Sequence, residues 1–465
     1  MYIVNLSHRT FASRNRFLWI ATVLSVMACA NVASVGIAWA DEVRLLNSET
    51  GALAQRIAMV DAAASSVDLA YYEIIDDDTA GQFLASLVRA VKRGVRVRFL
   101  CDGHLATNFM PKALMEHLID HGICIREFPV DYRYKIELGK QRLHDKLLIV
   151  DGRQLLTGGR NLVQEYYGLG TRLRFDRDIL LTGETVCQAQ QYFDARWNGS
   201  STRQPTLTRD EKSKVIKRQY HPEWNDMPRC QAKAEVESWL VGCESRALLA
   251  ADSCLRSKDS APYEVDCACI RFLHDCPDTP KRDTGAIAAQ ILRELQHARC
   301  SIEIETPYFA ITHRLKDILI DAERRGVRVR ILTNSLESTD QLAAHAGYAN
   351  QRRAFLRAGI ELYEIQGRNN LHAKAMVIDG RTAMIGSYNF DVLSETRNSE
   401  VALLIESTDL ARELSESIAL DRSRSQKIEI ENLFRLDARE SDASAKELRQ
   451  FQRLRFAAPF IKPYL

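Results

Sequence analysis

Lys92-Arg93-Gly94-Val95-Arg96-Val97-Arg98-Phe99-Leu100 and Arg324-Arg325-Gly326-Val327-Arg328-Val329-Arg330-Ile331-Leu332 are near-copies of each other. Ahead of them stand Ser65-Ser66-Val67-Asp68-Leu69-Ala70-Tyr71-Tyr72 and Cys300-Ser301-Ile302-Glu303-Ile304-Glu305-Thr306-Pro307-Tyr308, and in each case a run at helical spacing lies between. Alternating apolar residues, then an amphipathic helix ending in Arg-Gly, then a β-branched run read as strand, helix, strand. The glycine is placed to close each helix. His121-Gly122-Ile123-Cys124-Ile125 and Ala358-Gly359-Ile360-Glu361-Leu362 add a further helix-to-strand step to each copy. Such an order implies an α/β fold with a largely parallel sheet, present twice. The chain therefore divides into an N-terminal segment (1–40), a first repeat (41–200), an insertion (201–282), a second repeat (283–425) and a C-terminal tail (426–465) that ends apolar and is expected to pack on the core.

Each repeat continues into the same constellation. The first reads His144-Asp145-Lys146, Asp151-Gly152 and Gly158-Gly159-Arg160-Asn161; the second reads His372-Ala373-Lys374, Asp379-Gly380 and Gly386-Ser387-Tyr388-Asn389. One offset, 228 residues, relates each histidine, lysine, aspartate and asparagine to its counterpart. Five fixed residue types recur by chance at roughly one position in a few million. Coincidence inside a repeat detected independently is not a workable alternative.

Histidine and lysine two apart on a strand share a face. Leu147–Val150 and Ala375–Ile378 run into Asp-Gly, the strongest short hairpin signal. A two-residue turn would set His144 opposite Gly159 and His372 opposite Ser387, where small residues leave room for a substrate phosphate. Asn161 and Asn389 then return beside their histidines. Asp151 and Asp379 fall on the opposite strand face, so forming the turn is their first expected work and direct catalysis the alternative.

Two imidazoles, two ammonium groups and two amides suit phosphodiester cleavage without a metal. One histidine attacks phosphorus and forms a covalent phosphoenzyme. The other protonates the leaving alkoxide and later activates the acceptor. His144 and His372 are the candidates for these two tasks, while Lys146, Lys374, Asn161 and Asn389 stabilise the phosphoryl oxygens. A nucleophilic imidazole needs its other nitrogen held. Asp178 and Glu400, each opening an apolar strand after the motif, are the expected holding carboxylates.

Composition bounds the rest. With 46% hydrophobic and 27% charged residues, the 465-residue chain is globular rather than disordered. Arg9, Arg14 and Arg16 precede an apolar run from Phe17 to Trp39, and Ala38-Trp39-Ala40 is a cleavage signal. A cleaved signal is expected, a retained anchor is the alternative, and both export the remainder to a periplasm or the outer face of an inner membrane. Residues 1–40 hold three arginines and no acid, so their removal takes the formal charge from +2 to −1. That excludes a general polyanion binder. Six of the 11 cysteines (Cys230, Cys243, Cys254, Cys267, Cys269, Cys276) crowd into residues 230–276. In an exported protein this reads as a disulfide-stapled insertion. A zinc site with His274 as a ligand is the rival, disfavoured because no C-x2-C pair occurs.

The paired motif resembles that of the phospholipase D superfamily, H-x-K-x4-D-x6-G-[GS]-x-N, and both copies match at every fixed position. The Gly-Gly-Arg-Asn ending and the Arg-Gly-Val-Arg-Val strands resemble the bacterial cardiolipin synthase branch. The resemblance covers both repeats. It implies two α/β sandwich halves related by a pseudo-twofold with both motifs at the interface, a phosphohistidine intermediate, no metal or other cofactor, and phosphatidyl transfer to water or an alcohol. The family's catalytic residues carry over to His144, Lys146, Asn161, His372, Lys374 and Asn389, with Asp178 and Glu400 less directly, and the first histidine is favoured as nucleophile. A single N-terminal apolar segment in place of paired transmembrane helices, together with the cysteine-rich insertion, departs from the branch. The expected partners are a phospholipid substrate and the membrane surface rather than nucleic acid. A nuclease of the same superfamily is the alternative, and an inactive scaffold would require motif losses that are absent.

Overall fold

The computed structural model describes residues 40–103, 110–128, 141–205, 220–254, 261–277, 284–433 and 445–461. The N-terminal segment expected to be a signal or anchor lies outside them. Two eight-stranded mixed sheets carry the fold. The first runs Cys124–Phe128, Arg96–Asp102, Ser66–Tyr71, Lys146–Val150, Gln154–Gly158, Asp178–Thr182, Asp41–Leu46, Tyr263–Val265. The second runs Ile270–His274, Val401–Glu406, Thr382–Gly386, Ala375–Ile378, Ser301–Glu305, Arg328–Asn334, Glu361–Ile365, Ser425–Ile428. Six strands follow the same spatial order in both, as a duplication requires.

The quoted repeat forms the parallel part of each sheet. Ser66–Tyr71 pairs in parallel with Arg96–Cys101, and Ser301–Glu305 with Arg328–Leu332. The helices between them, Asp78–Lys92 and His313–Arg324, start on side-chain caps from Asp77 and Thr312. Gly94 and Gly326 follow them at φ +89° and +87°, a conformation that L side chains rarely adopt. The expectation of a largely parallel sheet is not met: two of the seven pairings in each sheet are parallel and the rest antiparallel. The histidine-lysine strands and everything beyond them pair antiparallel, and the strand that follows each histidine-lysine strand returns directly through a tight hairpin, with no crossover helix between.

Both faces of each sheet are covered, which explains the unbroken apolar runs. Leu148, Val150 and Leu156 point into the core of the first half with Val67, Leu69 and Phe83. Their neighbours Leu147, Ile149 and Leu155 point the other way, into a core shared with Ala375, Val377, Ala383 and Ile385 of the second half. The joint between the halves is thus a hydrophobic interior.

Residues 201–282 do not form the disulfide-stapled insertion expected from the sequence. Helix Arg229–Cys254 packs Val236 and Leu240 into the core of the first half. Tyr263–Val265 then extends the first sheet and Ile270–His274 the second. The segment is woven into both halves. No disulfide joins the described cysteines, and Cys230, Cys243, Cys267 and Cys269 are free thiols. Cys230 and Cys243 ride one helix 13 residues, or about 20 Å, apart. A disulfide needs Cα atoms within about 7 Å. Among the described residues no helix is long and apolar enough to cross a membrane. In the tail, helix Ala445–Ile461 buries Phe451 beside Ala346 and Ala349.

Candidate active site at the joint of the halves

The hairpin after each histidine differs from the expected one by one residue. Val150 pairs with Gln154 and Ile378 with Thr382, so three residues span each turn instead of two. Asp151 (φ 53°) and Asp379 (φ 54°) adopt left-handed conformations there. The carboxylate of Asp151 accepts hydrogen bonds from the backbone of Ala64, Ser65 and Ser66 at 2.7–2.9 Å. Asp379 does the same for Arg299, Cys300 and Ser301. These bonds tie each turn to the start of a neighbouring strand and hold the Asp151 carboxyl down to about 2. Both aspartates therefore sit at the strand end away from the histidines, in the anchoring role rather than among the reacting groups.

The extra residue also changes what the small residues do. A Cβ on Gly159 would stand 2.2 Å from Asp176 Oδ1, so the glycine makes room for a carboxylate and not for a phosphate. In the second half Ser387 Oγ donates to Glu400 Oε2 at 2.5 Å. Each small residue thus abuts an acid of its own half.

Those acids serve the opposite histidines. Leu143 pairs in parallel with Ser399, with His144 N donating to Ser399 O at 3.0 Å. Reciprocally, Asn370–Leu371 pairs in parallel with Arg174–Phe175, and His372 N donates to Phe175 O at 2.7 Å. The residue next along each acidic segment then meets the ring. His144 Nδ1 lies 2.9 Å from Glu400 Oε2, and His372 Nδ1 lies 2.7 Å from Asp176 Oδ2.

Asp178 does not take the expected place. It is fully buried between Arg56 and Arg160, each with a guanidinium nitrogen 2.9 Å from Oδ2. Register explains the error. Gly158 pairs with Asp178 but Gly386 pairs with Ala402, so the counterpart of Glu400 is the residue two before Asp178. Aligning the halves on the pairing of these strands, rather than on where each apolar run opens, identifies Asp176.

Both lysines lie beside their histidines. Lys146 Nζ donates to His144 O at 2.7 Å, and Lys374 Nζ stands 2.8 Å from His372 Nδ1. Asn161 Nδ2 donates to the Tyr166 hydroxyl at 3.1 Å, and that hydroxyl is 3.2 Å from His372 Nε2. Arg174 reaches the same hydroxyl at 3.2 Å. Tyr166 and Arg174 were not legible as site residues, since neither belongs to the repeated pattern. Asn389 places its backbone N–H on Ser394 Oγ, whose hydroxyl also reaches Glu400.

All these groups are buried, and burial dominates their titration. It holds the His144 ring well below its ordinary value, aided by Lys146 and Lys374. His372 is lowered by burial, then by Lys374 and Arg174. The carboxylate partners favour the cationic rings, but desolvation outweighs them, which favours neutral imidazoles. Burial also pushes Lys146 down to about 7 and Lys374 to about 8, while Asp176 is raised. Each histidine feels the lysine of the other half, which places both sets in one electrostatic centre.

Two fused α/β halves that exchange carboxylates across a joint holding two His-Lys-Asn sets define the phospholipase D class of fold and site. The family model "Cardiolipin synthase, PLD-like domain" matches residues 57–197 and 291–421, and the chain belongs to this superfamily in its cardiolipin synthase-like branch. Cardiolipin synthase C of Escherichia coli K12 is 31% identical over 411 residues, covering 79% of this chain and 82% of that one. Cardiolipin synthase 1 of Bacillus anthracis is 24% identical, covering 83% and 67%. In fold alone, the crystal structure of phosphatidylserine synthase from Haemophilus influenzae Rd KW20 matches with TM-score 0.65 at 16% identity, over 92% of this chain and 98% of that one. General phosphodiester or transfer chemistry of this superfamily follows.

Proposed function

We propose that the protein is a phosphatidyltransferase or phospholipase D acting on membrane phospholipids through a phosphohistidine on His144. The observation that carries the choice of nucleophile is the unequal surroundings of the two rings. His372 Nε2 already faces the Tyr166 hydroxyl at 3.2 Å, whereas His144 Nε2 takes no hydrogen bond from any described residue. With the Nδ1 hydrogen of His144 held on Glu400, its Nε2 lone pair is directed at phosphorus. Attack forms the N–P bond and breaks the P–O bond to the leaving alcohol, which takes a proton from His372. The bound phosphodiester's negative charge favours protonation of His372, Lys146 and Lys374 despite their burial. A hydroxyl acceptor then gives its proton back to His372 and attacks the phosphohistidine.

The relatives named cardiolipin synthase support a phosphatidyl donor and a second lipid's glycerol head group as acceptor. Export of the enzyme rests on the sequence of residues 9–40 alone. The test is incubation with phosphatidylglycerol vesicles, with and without a primary alcohol. Cardiolipin, or a phosphatidyl-alcohol when the alcohol is present, is expected, and an alkaline quench of the parent chain during turnover should leave an acid-labile phosphatidyl group on His144. Phosphatidic acid as sole product at every alcohol concentration would leave only the hydrolase. Cleavage of single-stranded DNA with no lipid turnover would overturn the reading.

A further inference from the structure

Away from the joint, the outer helices of the first half bring together three side chains of a kind unused by the chemistry above. His117 lies in helix Lys112–Asp120 and His121 caps its C-terminus. Glu237 comes from the long helix Arg229–Cys254 that packs across it. One ligand atom from each lies within 4.8 Å of the other two, with His117 Nε2 3.1 Å and His121 Nε2 3.9 Å from Glu237 Oε2.

We propose that His117, His121 and Glu237 form a binding site for one divalent transition-metal ion of the zinc class, which staples the long helix to the first half.

Four features support it. Histidines four apart on a helix stand on one face, one turn apart, and these two rings lie with centroids 4.2 Å apart. His121 Nδ1 is 2.9 Å from the His117 carbonyl oxygen, so its hydrogen is committed there and the Nε2 lone pair faces the cluster. His117 is only 5% exposed, and its Nε2 is buried without a hydrogen bond of acceptable geometry, Glu237 notwithstanding. A buried nitrogen left in that condition is costly unless something completes it. Finally, two imidazoles and a carboxylate are the donors zinc favours, with water as fourth ligand.

Bonds of about 2.1 Å in a tetrahedron set ligand atoms roughly 3.4 Å apart. Rotating the exposed Glu237 and the half-exposed His121 is enough to reach that. The nearby cation, Lys233, lies one turn before Glu237 but pairs with Asp120, so its charge is met outside the ligand set.

The experiment is titration of the purified, metal-stripped chain with Zn2+ by calorimetry, and with Co2+ by visible absorption. One tetrahedral Co2+ per chain is expected, and Zn2+ should raise the thermal midpoint reversibly with EDTA. His121→Ala and Glu237→Gln, both at accessible positions, should each weaken Zn2+ binding by more than the roughly tenfold lost with a supporting hydrogen bond. Their metal-free midpoints and circular dichroism should match the parent's. His372→Ala, which removes an imidazole of the joint, should bind as the parent does. Absence of stoichiometric binding to the parent overturns the proposal. So does binding that survives both His121→Ala and Glu237→Gln, or binding lost in His372→Ala, which would move the ion to the joint.

Discussion

At His372 the ring is held by Asp176, and two residues further on Asp178 is locked between two buried guanidinium groups. The two carboxylates should therefore fail in different ways. Asp176→Asn replaces an acceptor-only carboxylate with an amide that can donate to Nδ1 and favour the other tautomer, and should slow turnover by about 10²–10⁴-fold with little change in stability. Asp178→Asn leaves Arg56 and Arg160 without their buried anion and should destabilise by about 3–5 kcal/mol. Rate measurements and denaturant melts on the same two proteins separate the roles, and a reversed pattern would return Asp178 to the site. Gly159→Ala forces a methyl group onto Asp176 and should lower turnover in the same way as Asp176→Asn. Titration supplies a further prediction. The lysines are cationic below their values of about 7 and about 8, so kcat/KM should fall as pH rises through that range. The neutral histidines keep the acid limb well below pH 6.5. A profile flat to pH 9 would show that the lysine charges are not what binds the phosphodiester.

At the scale of elements, the hairpins are anchors as much as turns. Asp151 accepts three backbone N–H bonds from the loop before Ser66–Tyr71, and Asp379 serves Ser301–Glu305 equivalently. Replacing either with Ala removes the acceptor and leaves a β-carbon residue at positive φ. The expected loss is about 1–3 kcal/mol, towards the lower end because the turns are reached by solvent. Activity per folded molecule should change less than twofold. A hundredfold fall in turnover with unchanged stability would instead make these aspartates part of the reaction.

At the scale of the whole molecule, neither half holds a complete site, because the carboxylate on each histidine belongs to the other half. His144→Ala and His372→Ala should each abolish turnover, since one imidazole cannot both carry the phosphoryl group and shuttle the proton. Mixing the two variant chains should restore nothing, as the halves are fused through a shared hydrophobic core and do not exchange. Recovery of activity on mixing would mean that the centre assembles between chains.

Periodicity and Asp-Gly turns reveal the strand-helix-strand order of both halves, because those signals are local: alternation, helical spacing and chain reversal are written within a few residues. The His-Lys-Asn sets are equally legible, since a motif repeated at one offset needs no structure to be seen. The helical packing of residues 229–254 and the spread of Cys230, Cys243, Cys267, Cys269 and Cys276 over separate positions are not, because cysteine crowding along a chain says nothing of distance in space. Nor is the pairing of Asp176 with His372 or of Glu400 with His144. Those contacts join residues 196 and 256 positions apart, and they depend on two parallel bridges between the halves and on a connection between paired strands that is four residues longer in the first half. Local chemistry names the reacting groups, while long-range register chooses which acid holds which ring.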